Sequence, residues 1–124
     1  MMKSIFIALF AMFSVHVYAG NESDKIAQAI QSGNTSELAA MFNSSIELLT
    51  PGSSGVTTRE QARIVLDNFF KNNPPVKATV THETSGTTNS MLVISLLTKT
   101  GTFRISIVGC NKGGSFVINE FKIT

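Results

Sequence analysis

The sequence predicts an α+β fold: two N-terminal helices, a strand, a long helix, and a four-strand antiparallel meander forming a curved sheet packed on the helices. Apolar residues recur with helical spacing in much of the chain before residue 72. From residue 76 to the end they alternate with polar residues, and Gly-containing turns separate the segments. The stretch FFKNNPP, residues 69–75, divides these regions. Its two prolines cannot continue a helix, so the chain must become extended there.

The first residues have the pattern of a cleaved secretory signal peptide. Lys3 precedes an apolar run, Ile5 to Val17, which is shorter than the about 20 apolar residues that a membrane-spanning helix needs. Small residues at Val17 and Ala19 suit cleavage before Gly20. We therefore expect residues 1–19 to be removed and residues 20–124 to form a single domain. The domain would be periplasmic or secreted, with no membrane association after cleavage.

Two short helices and a strand are predicted to follow. SDKIAQAIQSGN places Ile26, Ala29 and Ile30 on one helix face, and Gly33 suits the helix end. NTSELAAMF is predicted as the second helix, with Asn34 as its N-cap and a glutamate three residues later. SIELLTPG reads as a strand that ends in a Pro-Gly turn.

The long helix, within GVTTREQARIVLDNFFKNN, has the strongest signal. Thr57 is the predicted N-cap, with Glu60 as its capping-box partner. Arg63, Asp67 and Lys71 recur every fourth residue on the expected solvent side. The buried stripe consists of Ala62, Val65, Leu66, Phe69 and Phe70.

The meander predicts two sheet faces if Thr98 pairs with Thr102. The face under the helices would then carry Val93, Ser95 and Leu97 beside Phe103, Ile105 and Ile107, and the last strand would add Val117, Asn119, Phe121 and Ile123. His82 would share a strand face with Val76, Ala78 and Val80. Leu92, Ile94, Leu96 and Val108 would lie on a face that no helix covers. Because large exposed apolar patches mark contact sites, we expect a homodimer through that face.

Composition argues against several classes of function. The chain has ten Lys and Arg and eight Asp and Glu. Lys3 would leave with the predicted signal peptide, so nine basic residues remain against eight acidic ones and the mature chain is close to neutral. With no basic cluster and no Trp or Tyr after residue 18, nucleic-acid binding is not predicted. Cys110 is the single cysteine, which excludes a disulfide within the chain. It reads as a small buried hydrophobe, the alternative being a reactive thiol. No metal site and no cofactor are predicted.

The order of elements resembles the nuclear-transport-factor-2-like superfamily, with its cystatin-like fold. Within it, the chain is similar to a secreted bacterial family, domain of unknown function 4783. The stretches that carry the resemblance are AAMFNSSIEL, QARIVLDNFFKNNPP and GTFRISIV. The resemblance implies a curved sheet wrapped on the helices, a pocket between them, and often a homodimer, but no reaction.

A small, mainly apolar pocket is the predicted site. Phe69 and Phe70 end the long helix, where bulky rings can line a cavity at the open end of a conical sheet. Apolar walls with a few fixed polar groups are the usual composition of a ligand pocket. The expected borders are Leu66, Phe69, Ile105 and Phe121, and the candidate polar groups are His82, Ser95 and Asn119.

These residues favour an exported, non-enzymatic module that binds a small apolar ligand or a protein partner. The alternative is a weak or uncharacterised enzyme, isomerase- or dehydratase-like, that uses His82 as its base. Ketosteroid-isomerase chemistry needs a pocket Asp and a Tyr, and Tyr18 leaves with the signal peptide. A cystatin-type protease inhibitor is a third hypothesis, but SIVGC does not match the Q-x-V-x-G loop of that class.

Overall fold

The computed structural model describes residues 22–124, so the predicted signal peptide lies outside the described residues. The helices are α1 (Glu22–Gln31), α2 (Thr35–Met41) and α3 (Arg59–Asn72). The strands are β1 (Phe42–Thr50), β2 (Ser53–Thr58), β3 (Pro75–Ser85), β4 (Ser90–Thr98), β5 (Thr102–Lys112) and β6 (Ser115–Ile123). Within this range no helix combines the length and the apolar character needed to cross a bilayer.

The six strands form one open sheet in the order β2-β1-β6-β5-β4-β3. The predicted meander is β3 to β6, and β1 joins it by pairing in parallel with β6. The α+β class is confirmed, but the sheet has six strands because β1 and β2 extend the meander. Strand β2 was not predicted, since its sequence SSGVTT has a single large apolar residue, Val56, and no alternation.

Local capping interactions begin and end the helices close to the predicted residues. Asn34 caps α2 as predicted, and its side-chain oxygen accepts from the backbone N–H of Glu37 at 3.1 Å. Helix α3 is capped by Thr58, whose hydroxyl accepts from the N–H of Gln61 at 3.2 Å. The prediction of Thr57 was wrong by one residue, because Thr57 belongs to β2 and pairs with Ile46.

The core lies between the helices and one face of the sheet, which we call the helix face. Helix α1 packs against β3, and α3 packs against both α2 and β1. Fully buried side chains from helices and strands meet there: Ile26, Ile30, Leu38, Phe42, Leu66, Ile94, Leu96, Ile105, Ile107 and Phe121. This single cluster holds the layers together through apolar burial.

The predicted pairing of β4 with β5 was wrong by one residue. Leu97, not Thr98, pairs with Thr102. Thr98 belongs to the turn: its N–H donates to the carbonyl of Gly101, and its hydroxyl accepts from the turn amides of Thr100 and Gly101. Since side chains alternate between faces, this shift exchanges the two predicted faces of β4, whereas Phe103, Ile105 and Ile107 of β5 lie on the helix face as predicted.

The exchange places Leu92, Ile94 and Leu96 in the core, at 5%, 0% and 0% exposure. A dimer through those side chains is therefore excluded by the fold. The opposite side of the sheet, which we call the uncovered face, carries Met91, Val93 and Leu97 of β4 in their place, and Val108 of β5 as predicted. Met91 and Leu97 are 41% and 46% exposed, whereas Val93 is buried at 6%.

Two β-bulges move two candidate polar residues away from their predicted faces. The register of β3 shifts between Val80 and His82, so His82 pairs with Val93 on the uncovered face rather than sharing the face of Val80. The register of β5 and β6 shifts at Asn119, after which Phe121 resumes on the helix face. A bulge inserts one residue and reverses the alternation, which an alternating sequence pattern does not reveal.

Candidate functional site

A recess of about 450 Å³ opens where helix α3 ends. We call it the α3 recess. Three parts of the chain enclose it: the C-terminal half of α3, the turn between β1 and β2, and the start of β5. Its lining residues are Thr50, Pro51, Gly52, Ser53, Val65, Asn68, Phe69, Asn72, Asn73 and Phe103. The volume falls within the roughly 300–1,000 Å³ of small-molecule pockets.

Aromatic rings form the apolar wall of the recess. The Phe69 and Phe103 centroids are 5.1 Å apart at 80°, and those of Phe69 and Phe70 are 5.6 Å apart at 72°. Both are edge-to-face contacts, which fix the orientation of each ring. Phe69 is 8% exposed, so it closes the core on one side and borders the recess on the other.

The helix stop at residues 72–75 holds the wall in place. The Asn73 N–H and side-chain nitrogen both donate to the Phe69 carbonyl, at 2.8 and 3.0 Å. The Asn73 side-chain oxygen accepts from the Thr100 hydroxyl, in the turn between β4 and β5. The Lys99 N–H donates to the Pro74 carbonyl at 3.0 Å. The abrupt end of α3 therefore ties the helix to the turn that precedes Phe103.

The rim of the recess is polar but uncharged. Asn68 and Asn72 are four residues apart on α3, so their exposed carboxamides lie on one side of the helix. Opposite them, the Gly52 N–H donates to the Thr50 hydroxyl at 3.4 Å within the β1–β2 turn. Among the described residues that line the recess, none has an ionisable side chain. Such a site can bind by apolar contact and neutral hydrogen bonds, and its walls contain no group for proton transfer.

The structure brings only some of the predicted pocket residues together. Leu66, Ile105 and Phe121 are fully buried in the core, and Phe69 alone of the predicted set lines the α3 recess. Asn119 instead accepts from the Asn43 side-chain nitrogen at 3.0 Å and donates to the Cys110 sulfur at 3.6 Å. Cys110 is half-buried.

His82 and Ser95 lie together, but on the uncovered face. They line a shallow depression of about 620 Å³ with Thr81, Val93 and Arg104. Although this depression is larger than the α3 recess, it rests on a sheet surface without a helix over it. Within residues 22–124 no group of three or more His, Cys, Asp or Glu is placed to hold a metal ion. We therefore regard the α3 recess as the better-formed ligand site.

Sequence reasoning missed the polar rim and one of the two rings. Asn68, Asn72 and Asn73 lie close to Phe69 in the sequence. Three asparagines beside the predicted helix end were the available signal for a polar rim. Phe103 was assigned to the core beneath the helices, and the β1–β2 turn was treated only as a strand end. Neither assignment could show that the β1–β2 turn and the first residues of β5 lie next to the end of α3.

Comparison with known proteins identifies the family. The model of the family described as "Domain of unknown function (DUF4783)" matches residues 23–124. Curated proteins give no significant match. Among solved structures, a DUF4783 family protein from Bacteroides fragilis is 26% identical, with TM-score 0.74, covering 79% of this chain and 92% of that chain. One from Bacteroides ovatus is 20% identical, with TM-score 0.76, covering 84% and 93%.

A designed NTF2 protein with a long sheet shares the fold at 12% identity and TM-score 0.68, covering 82% of this chain and 94% of that chain. The likeness supports the nuclear-transport-factor-2-like fold. The family match spans almost all of the described residues. The chain therefore belongs to the DUF4783 family and has a nuclear-transport-factor-2-like fold.

Proposed function

We propose that the protein is an exported, non-enzymatic binding module whose α3 recess takes a small, uncharged and mainly apolar ligand. One observation carries the proposal: aromatic walls and an uncharged polar rim meet in a recess large enough for such a molecule. Export rests on the signal-peptide pattern of residues 1–19.

The lining favours apolar ligands over polar ones, and uncharged ligands over charged ones. Phe69, Phe103 and Val65 offer apolar surface, and its burial against an apolar ligand supplies most of the binding free energy. Asn68 and Asn72 can each donate and accept a hydrogen bond. A charged ligand would lose hydration without gaining an opposite charge, and this cost is large in an apolar site. Neutral molecules should therefore bind better than their charged analogues.

The enzyme alternative would have to use a different part of the molecule. His82 lies on the uncovered face beside Arg104, separated from the α3 recess by the sheet. His82 is also exposed, whereas catalytic bases work best in sites that exclude water. The binding module is therefore the better-supported of the two functions.

We also propose a homodimer, now through the uncovered face. Met91, Val93, Leu97 and Val108 give this face an apolar centre. Replacing Leu97 by Glu puts a carboxylate opposite Lys77, its pairing partner on β3, so the variant should fold. Sedimentation should show a wild-type dimer and a monomeric Leu97→Glu variant. A monomeric wild type at high concentration would exclude the dimer.

The binding proposal is tested with Nile red, an uncharged apolar dye that fluoresces when it leaves water. The protein should enhance its fluorescence in a saturable manner. Asn68→Trp places an indole from an exposed position across the recess, and it should weaken dye binding about tenfold by occupying the same space.

Asn89→Trp is the matched control, because Asn89 is an exposed asparagine in the β3–β4 turn and lies outside the recess. It should bind the dye like the wild type. Equal binding by all three proteins would show that the dye binds elsewhere, and the α3 recess would lose its support as the ligand site.

A further inference from the structure

Strand β2 has a free edge. It is the last strand of the sheet order on its side and pairs only with β1 among the described residues. In an antiparallel pair, every second residue directs its backbone N–H and C=O away from its partner. Strand β2 therefore presents a row of backbone donors and acceptors that a further strand could satisfy.

This edge lacks the features that usually prevent strand addition. Its sequence, SSGVTT, contains no charge and no proline, and its pairing with β1 has no bulge. Val56, near its middle, is 75% exposed. The absence of such features is unusual for an edge that stays unpaired.

The opposite edge, β3, carries several of these features. Lys77 and Glu83 are charged and exposed, and the strand is interrupted by the bulge before His82. The Gln31 side chain of α1 accepts from the N–H of Ala78 at 2.9 Å and so occupies one edge donor. The difference between the two edges indicates that β2 is the edge kept open.

An uncharged groove runs along β2 on its helix side and joins the α3 recess. A smaller cavity of about 210 Å³ lies between β2 and α3, and it shares Ser53 and Val65 with the recess. Gly55 lines it, and no atom lies within 4 Å of the position that a Cβ would take there. The charged residues of α3, among them Asp67, are absent from both linings.

We propose that the free edge of β2 pairs with an extended, uncharged segment of another protein, one apolar side chain of which enters the α3 recess. This inference rests on the proposed function and names the ligand class as a peptide strand. Backbone pairing would supply affinity, and the recess would select the side chain, as in other cases of strand addition. Asn68 and Asn72 line the recess with amide groups that can also bond to a peptide backbone.

The dimensions favour a partner segment over a second copy of this chain. Six residues of strand extend roughly 20 Å, and one sheet layer is roughly 10 Å thick because stacked sheets pack at that distance, so the edge contact covers roughly 200 Å² of each partner. Stable dimers bury about 800 Å² per partner. A peptide can compensate by inserting a side chain into the recess, whereas β2 of a second copy offers only Val56 as a large apolar side chain.

The test uses two probes and ¹⁵N-labelled protein. The first is a capped peptide of alternating Thr and Val with one central Phe, and the second is N-acetyl-phenylalanine amide, which can fill only the recess. Both should shift the amide resonances around Phe69. Only the peptide should slow hydrogen exchange along Ser53–Thr58. Methylating every second backbone nitrogen of the peptide should weaken its binding about tenfold, because the pairing donors are removed.

A charged residue on the edge tests the same point from the protein side. Val56→Lys should weaken the peptide about tenfold and leave the small amide unchanged. Val76→Lys is the matched control on β3, where Val76 is 49% exposed, and it should bind both probes normally.

The outcomes separate the two proposals. If the methylated and unmethylated peptides bind equally, or if β2 exchange does not slow, strand pairing is wrong while the recess remains a ligand site. If neither probe shifts resonances around Phe69, the proposed function fails and this inference fails with it. Slow exchange along β2 that depends on protein concentration, without peptide, would overturn the inference in favour of self-pairing.

Discussion

Replacing Ile94 by Lys tests which face of the sheet is buried. Ile94 is 0% exposed at the centre of β4, and it pairs with Ile105 on the helix face. The substitution loses the burial of a large aliphatic side chain, about 2–3 kcal/mol. It also leaves an ammonium without an opposite charge in the core, which costs about 3–5 kcal/mol. Together these two costs are comparable to the whole free energy of unfolding of a typical domain, which is about 5–15 kcal/mol.

Met91→Lys is the matched control on the same strand. Met91 is 41% exposed on the uncovered face, so a lysine there keeps its charge in water. The cost should stay near 1 kcal/mol or below. Because Met91 also belongs to the proposed dimer face, both substitutions are made in the Leu97→Glu background, and urea unfolding followed by far-ultraviolet circular dichroism measures both variants. We expect Ile94→Lys to be largely unfolded without denaturant and Met91→Lys to unfold close to its Leu97→Glu parent. Equal stability of the two variants would refute the assignment of the faces.

Three further predictions concern the end of α3 and the N-terminus. Phe69→Ala should cost about 3 kcal/mol in urea unfolding, the low end for a buried Phe, because its ring already borders the recess; a cost below 1 kcal/mol would contradict its place in the core. Asn73→Ala should cost about 1–2 kcal/mol, since it removes the side-chain bonds to the Phe69 carbonyl and the Thr100 hydroxyl, and unchanged stability would show that these bonds do not hold the helix end. Intact mass of exported protein should correspond to a chain that begins at Gly20, and a mass that includes Lys3 would exclude cleavage.

The helices were predictable because their signals are local. Asn34 caps α2 through Glu37, two residues of the same short stretch, and the prolines after Asn73 end α3 whatever surrounds them. Apolar spacing then identifies the buried side of α3, including Leu66. Local capping and periodicity of this kind need no knowledge of the rest of the fold.

The sheet was predicted in class but not in detail, because its details depend on partners distant in sequence. β4 is apolar on both faces, with Leu92 to Leu97 almost continuous, so its pattern accepts either pairing with β5. The hydroxyl of Thr98 decides the pairing by organising the turn. The sequence contains even less evidence for the bulge at Thr81 and for the pairing of β2 with β1.

The candidate site was predicted at one residue, Phe69, for a related reason. A helix end with large rings before prolines can be read from sequence as the wall of a cavity. Its other walls come from Thr50–Ser53 and Phe103, which approach only once β1 has paired with β6 and the β4–β5 turn has bonded to Asn73. Contacts of that range are set by the assembled sheet and not by local pattern.

The most direct test of the central claim compares N-acetyl-phenylalanine amide with N-acetyl-phenylalanine, which differ in one charge. Amide resonance shifts of the labelled protein report where each binds and how tightly. The account predicts shifts grouped around Val65, Asn68, Phe69 and Phe103. It also predicts about tenfold weaker binding of the carboxylate, because the recess offers it no cation. Shifts confined to the surroundings of His82 and Arg104, or equal affinity for both compounds, would contradict a neutral-ligand site at the end of α3.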